Sequence, residues 1–251
     1  MKTGRTKPAI FKCEDEQGNE VGEFVVKMRA GTEAGVTGLT CELVSSLLAE
    51  ELGITTPVPA IVEINPAIGK LLGSQDSEVA QIIRKSPGLN FGSQVLTGGY
   101  GVIPIEKSIP ASIRPLAADI FAFDACIQNP DRKVNNQNLL WKADEIFVID
   151  HELAFSFLFL IGAPTVAWKL EGAPGDFLKE HVFYRELKGQ AIDLDRFEGA
   201  LNAISDGHLA TMFDQIPKEW ENDHVSRISG HLKSVRDHSA EFVNQVKWRL
   251  V

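Results

Sequence analysis

Asn129-Pro130-Asp131-Arg132-Lys133-Val134-Asn135-Asn136-Gln137-Asn138-Leu139-Leu140, followed after a short polar break by Ile146-Phe147-Val148-Ile149-Asp150-His151-Glu152, is the stretch on which the reading of this chain turns. It runs from a polar loop into two short apolar segments, the second closed by an aspartate. Phosphoryl transfer asks little covalent chemistry of a protein. It asks for a group that orients and deprotonates the acceptor, and for ligands that hold a metal ion on the phosphate oxygens. Mg²⁺ takes oxygen donors and keeps several waters, so one carboxylate and one amide carbonyl suffice. Asp131 with Asn136 five positions on has the spacing of a kinase catalytic loop, the aspartate as base and the asparagine as metal ligand. Asp150, at the end of an apolar strand, stands where the second metal ligand is expected. An Asp and an Asn at this spacing are commonly no more than a polar turn held by Asx hydrogen bonds. The order of elements separates the readings: helix over Ile113 to Cys126, polar loop, two short strands over Leu139–Trp141 and Ile146–Ile149, then Asp150.

Upstream, residues 8 to 29 predict a β-hairpin that turns at Gly18-Asn19. In its second strand Phe24, Val26 and Met28 share one face, and Val25, Lys27 and Arg29 share the other. Lys27, at the end of Val25-Val26-Lys27, is placed like a strand lysine that pairs with the α- and β-phosphates of ATP. The loop Gly31 to Gly38 follows, and Gly31 and Gly35 are candidates for backbone contact with phosphate. A helix over Leu39 to Leu52 comes next, with Leu39, Leu43 and Leu47 on one stripe, Thr40 as its cap and Gly53 as its stop. Glu42 on that helix is a candidate partner for Lys27. A short strand over Ala60 to Ile64 completes a small α+β unit. Residues 65 to 110 read as glycine-rich loops around one short strand. The chain beyond Glu152 is mainly helical, with Pro217 at a helix start and an apolar face from Val225 to Val246.

Composition narrows the function classes. The 251 residues are 44% hydrophobic, enough for one large domain or two lobes around a cleft. Thirty-four acidic against 25 basic side chains argue against direct nucleic-acid or anionic-membrane binding, which need clustered Lys and Arg. The longest apolar stretch, Leu153 to Val166, is broken by Ser156, Gly162 and Pro164 and is too short to span a bilayer. Cys13, Cys41 and Cys126 have neither zinc nor redox spacing, as expected of reduced thiols in a cytoplasmic protein. No Gly-x-x-x-x-Gly-Lys-Ser/Thr is present, which disfavours a P-loop ATPase, and Phe155 stands where a zincin helix starting at His151-Glu152 needs its second histidine. His231 and His238 read as surface or half-buried residues.

The chain resembles the HipA-like kinases, specifically short stand-alone members. The resemblance is carried by Val25-Val26-Lys27, the glycine-containing loop, Cys41-Glu42-Leu43, Leu52-Gly53-Ile54 through Pro59, Phe91-Gly92-Ser93, Asn129 to Arg132, Asn136 to Leu140 and Ile149-Asp150-His151. His181-Val182 and Pro217 to Trp220 match C-terminal landmarks. The resemblance implies an α+β, bilobal protein-kinase-like fold related to phosphoinositide kinases. The sheet-rich N-lobe would span residues 1–100 and the mainly helical C-lobe 101–251. It also implies Mg-ATP-dependent transfer with serine or threonine of a protein as acceptor, Lys27 on phosphate, Asp131 catalytic, and Asn136 and Asp150 on Mg²⁺. Three departures stand out. No Gly-x-Gly-x-x-Gly precedes Lys27, Asp150-His151-Glu152 replaces Asp-Phe-Gly, and Lys133 stands where relatives often carry histidine. The alternatives left open are a catalytically inactive kinase-fold binding module and a small-molecule or lipid kinase.

Overall fold

The structure is a computed structural model and describes residues 6–72, 76–103, 108–160, 166–171 and 176–251. Strands β1 (Ala9–Glu14) and β2 (Glu20–Lys27) form the expected antiparallel hairpin, and the Asp15 carboxylate closes its turn on the Gln17 and Asn19 N–H groups. β2 continues onto β4 (Gly88–Gln94), and β4 onto β3 (Pro59–Ile64), giving an all-antiparallel sheet of order β1-β2-β4-β3. The period of two in β2 then decides what each face meets. Phe24, Val26 and Met28 pack with Ile64 and Ile83 in a small core behind the sheet, while Val25 and Lys27 face a cavity. Gly92 sits mid-sheet because a Cβ there would lie 2.6 Å from Val62 Cγ2.

Helix α1 (Val36–Glu51) begins three residues before the expected Leu39. Gly35, at φ 58°, turns the chain into it. Thr40 is not the cap, since it lies in the second turn and returns its hydroxyl to the Val36 carbonyl at 3.0 Å. Gly53, at φ 68°, stops the helix as expected. Residues 65 to 110 hold more than loops around a strand. Two short helices, α2 (Pro66–Leu71) and α3 (Glu78–Arg84), precede β4. Each is started by a side-chain cap, Asn65 on the Ala67 N–H and Ser77 on the Ala80 N–H. Helices of six and seven residues carry too little apolar repeat to be seen among the glycines.

Helix α4 (Arg114–Cys126) is buried almost all round, and the hairpin of β5 (Leu139–Lys142) and β6 (Glu145–Val148) follows it. The helical part then comprises α5 (Tyr184–Leu187), α6 (Asp195–Ala203), α7 (Asp206–Phe213), α8 (Asp223–Asp237) and α9 (Ser239–Arg249). Pro217 precedes a single 3₁₀ turn, Lys218–Trp220, rather than opening an α-helix. The apolar face from Val225 to Val246 divides between α8 and α9. One continuous core joins Leu39, Val44 and Leu48 of α1 to α4, α8 and α9. α1 therefore packs with the helical part as well as against β3 and β4. His231, expected at or near the surface, is buried with Nε2 2.7 Å from the Cys126 carbonyl, because it lies on the core-facing stripe of α8. The three cysteines are free, and burial pushes the Cys126 thiol up to about 12. Among the described residues no helix is long and apolar enough to cross a membrane.

Candidate active site

Lys27 ends β2 with its side chain on the cavity face. Its ammonium bonds Glu42 Oε1 from α1 and Asp150 Oδ1 from beyond β6, the latter at 2.5 Å. Burial works against the Lys27 charge, but the two carboxylates outweigh it and hold the ammonium above its ordinary pKa. Burial pushes the Glu42 carboxyl above the usual carboxylate range despite Lys27. Asp150 is also pushed up by burial, but Lys27 wins and holds it below that range. Asp150 sits at φ 61°, a left-handed conformation that aspartate tolerates better than most residues. The turn follows directly on β6, and the carboxylate comes off it toward Lys27.

The two residues after Asp150 are buried. Among the described residues the ring nitrogens of His151 have no hydrogen-bond partner, Nδ1 lies 3.8 Å from Glu42 Oε2, and Phe123 meets the ring edge-on. Burial pushes the imidazole down to about 3, so it is neutral at pH 7. Glu152 accepts from the Thr6 hydroxyl and from the Glu33 N–H, both at 2.6 Å. A Cβ on Gly38 would come within 2.9 Å of the Glu152 side chain, so that glycine makes room for a carboxylate. None of Gly31, Gly35 and Gly38 lines the cavity. Gly31 closes a turn on the Met28 carbonyl beside Ile82, and Gly35 opens α1. Pro8 does line the cavity, and residues 1–5 are outside the described residues.

The cavity measures about 420 Å³, within the usual range for small-molecule sites. Val25, Phe91, Leu96, Leu140 and Ile149 give it apolar walls, while Lys27, Glu42 and Asp150 form its polar end.

Asp131 and Asn136 lie on the loop that leaves α4 and are not among the residues that line this cavity. The Asn136 amide donates to Asp131 Oδ2 at 2.8 Å, and Asn138 donates to the same oxygen at 3.1 Å. The loop is stitched to the strand end that carries Asp150. The Ile149 N–H donates to the Asn138 carbonyl at 3.0 Å, and Arg132 NH1 donates to the carbonyls of Asn138 and Ile149.

Arg132 is itself held by Asp124, which the sequence reading did not single out, together with Asn129 and His181. Asp124 on α4 takes Arg132 Nε on Oδ2 and Arg132 NH2 on Oδ1, with Asn129 also on Oδ1 and His181 Nε2 also on Oδ2. All of these side chains are buried. Burial pushes the Asp124 carboxyl up, but the Arg132 guanidinium and the His181 N–H outweigh it and hold it at about 2. One signal for Asp124 was present. A lone carboxylate within Phe121-Ala122-Phe123-Asp124-Ala125-Cys126 has to find a buried cationic partner.

An antiparallel sheet followed by a helical part, with a strand lysine held by a helix glutamate at the end of an apolar cavity, defines the protein-kinase-like class. The crystal structure of the Helicobacter pylori proinflammatory kinase CtkA superposes with a TM-score of 0.55 at 11% identity, covering 100% of this chain and 93% of that one. At that identity the likeness speaks for the fold. No curated protein sequence matches the chain. The family model of the HipA-like kinases matches residues 1–251, and the chain belongs to that family.

Proposed function

We propose that the chain is a Mg-ATP-dependent phosphotransferase acting on a serine or threonine hydroxyl of a protein, with its lobes meeting near residue 100. The observation that carries this reading is the Lys27 ammonium bridging Glu42 and Asp150 at the polar end of an apolar cavity. The three residues are remote in sequence and come from a strand, a helix and a strand end. Lys27 binds nucleotide phosphate, and Glu42 keeps its ammonium aimed along the cavity floor. Asp131 accepts the proton of the acceptor hydroxyl and orients its oxygen, with Asn136 and Asn138 fixing the rotamer of its carboxylate. Asn136 and Asp150 would hold Mg²⁺, which offsets phosphate charge. The apolar walls receive the base and exclude water from it.

Calorimetric titration of ATP into the protein with and without Mg²⁺, beside Asp150→Ala, tests the nucleotide site. Binding is expected to depend on Mg²⁺ and to weaken in the variant. Asp131→Asn is expected to keep that binding while phosphate transfer falls by about 10²–10⁴-fold, the usual contribution of a positioned base. Full transfer by Asp131→Asn removes Asp131 from this role. No ATP binding by folded wild-type protein favours the binding-module reading instead.

A further inference from the structure

We propose that His181 is a positioning residue for phosphate transfer, acting through Asp124 and Arg132 to hold the loop of Asp131 against the strand end of Asp150. The proposal deepens the reading of Asp131 and Asp150 as the reaction centre and rests on it.

The ring's two nitrogens are distinguished by their partners. Nδ1 accepts the Phe183 N–H at 3.1 Å, so the proton sits on Nε2, which donates to Asp124 Oδ2 at 2.9 Å. That bond completes a carboxylate whose other contacts are Asn129 and the two nitrogens of the Arg132 fork. With Nε and NH2 fixed on Asp124, the remaining guanidinium nitrogen NH1 has one direction left. It spans Asn138, at the end of the loop, and Ile149, immediately before Asp150. The backbone repeats the connection. The Val182 N–H donates to the Arg132 carbonyl at 3.0 Å, and Lys133 bridges to His181. The segment around His181 therefore lies along the loop at Arg132 and Lys133. His181 is not among the cavity-lining residues, and its ring packs edge-on against Phe121 with centroids 5.0 Å apart.

Losing the Nε2–H leaves Asp124 Oδ2 with the arginine alone. A buried carboxylate short of one donor pulls on the donors it retains, so the fork tilts and NH1 leaves its two carbonyls. The loop end and the strand end then move independently. The Lys27 contact and the apolar walls of the cavity are left in place.

Two variants separate positioning from folding. His181→Phe keeps the ring packing and removes the N–H, and His181→Gln restores an N–H donor. The measurements are amide hydrogen exchange along the chain, melting temperature, Mg-ATP affinity by calorimetry, and the rate of γ-phosphate transfer to water or to casein. In His181→Phe, amides of residues 131–138 and of Ile149 are expected to exchange faster while those of α9 do not. The transfer rate is expected to fall by about 10- to 100-fold, as misplacements near 1 Å cost, with Mg-ATP affinity falling by a smaller factor than the rate. His181→Gln is expected to recover most of the rate and of the protection. Unchanged exchange in the loop, exchange raised across the whole molecule together with a lower melting temperature, a wild-type transfer rate, or a Gln variant as impaired as Phe each overturns the proposal. Exchange is read without turnover. If wild-type protein transfers no phosphate, the functional reading fails by that result and exchange alone decides the role of His181.

Discussion

Two clusters of charge flank the loop of Asp131, and they are built on opposite terms. Asp124, Arg132 and His181 are sealed from solvent, with each nitrogen of the arginine fork bonded to a named acceptor. Lys27, Glu42 and Asp150 also interlock, but they end a cavity, and the Asp150 side chain is 42% exposed. A sealed ion cluster has no solvent to fall back on, so its partners are fixed for the life of the fold. A cluster at the end of a cavity can exchange one partner for a ligand. The first sets the geometry of the loop, and the second has the character of a binding site held together by its own side chains.

The largest effect that sharpens this contrast is Asp124→Ala. It leaves a buried guanidinium and a buried imidazole N–H without their common acceptor, and urea unfolding is expected to show a loss of about 3–5 kcal/mol. A loss under about 1 kcal/mol would mean that the dry cluster relaxes as readily as the other and would break the comparison.

Acid is the second probe. The Asp124 carboxyl, at about 2, lies below its unfolded value near 3.9, so the folded state binds its proton less well. Its contribution is complete above about pH 4 and is lost as the pH falls toward 2, an amount on the order of 2 kcal/mol. His151, pushed down to about 3, and His231, pushed down to about 4, are held neutral by burial while the unfolded chain protonates near 6.5. Stability is therefore expected to begin falling near pH 6.5, before the carboxylates titrate. His231→Phe should flatten that first slope and leave the step between pH 4 and 2. Urea midpoints from pH 7 to 2 check both features, and a flat profile from 6.5 to 4 would contradict the burial of these rings.

The smallest expected effect on stability is that of Lys27→Met. Glu42, already raised by burial, takes up a proton, and Asp150 stays in contact with solvent, so unfolding should shift by about 1–2 kcal/mol, the low end for a buried group that loses its partner. ATP affinity is expected to fall by about 10- to 100-fold, the range of a hydrogen bond to a charged group. Large destabilisation with unaltered ATP binding would assign this cluster to the fold and not to the ligand.

Much of this was legible from the chain alone, for local reasons. The period of two in β2 placed Lys27 opposite Phe24, Val26 and Met28, and the glycine at 53 ended α1 where a left-handed residue was needed. The pairing of Lys27 with Glu42 followed from their order along the chain, and the structure brings them together with Asp150. The features that escaped depend on distance or brevity. α2 and α3 are too short to show a stripe. Gly31 and Gly35 looked like phosphate contacts because glycine permits that use, but they turn the chain and start a helix. Asp124 and His181 are 57 positions apart along the sequence, and no local pattern ties their contact to Asp131.

The placement of α1 also bears on how such a site is switched. Leu39, Val44 and Leu48 are sunk in the core shared with α4, α8 and α9. The Lys218–Trp220 turn and α7 pack on the same helix, and the His224 ring meets the Thr37 hydroxyl at 3.0 Å. Swinging Glu42 away from Lys27 by rotating that helix outward would unpack the centre of the molecule. An inhibitor that works by wedging itself behind this helix would therefore meet packed side chains where it needs a void, and selective chemistry against this protein belongs at the cavity's apolar rim, around Leu96 and Tyr100.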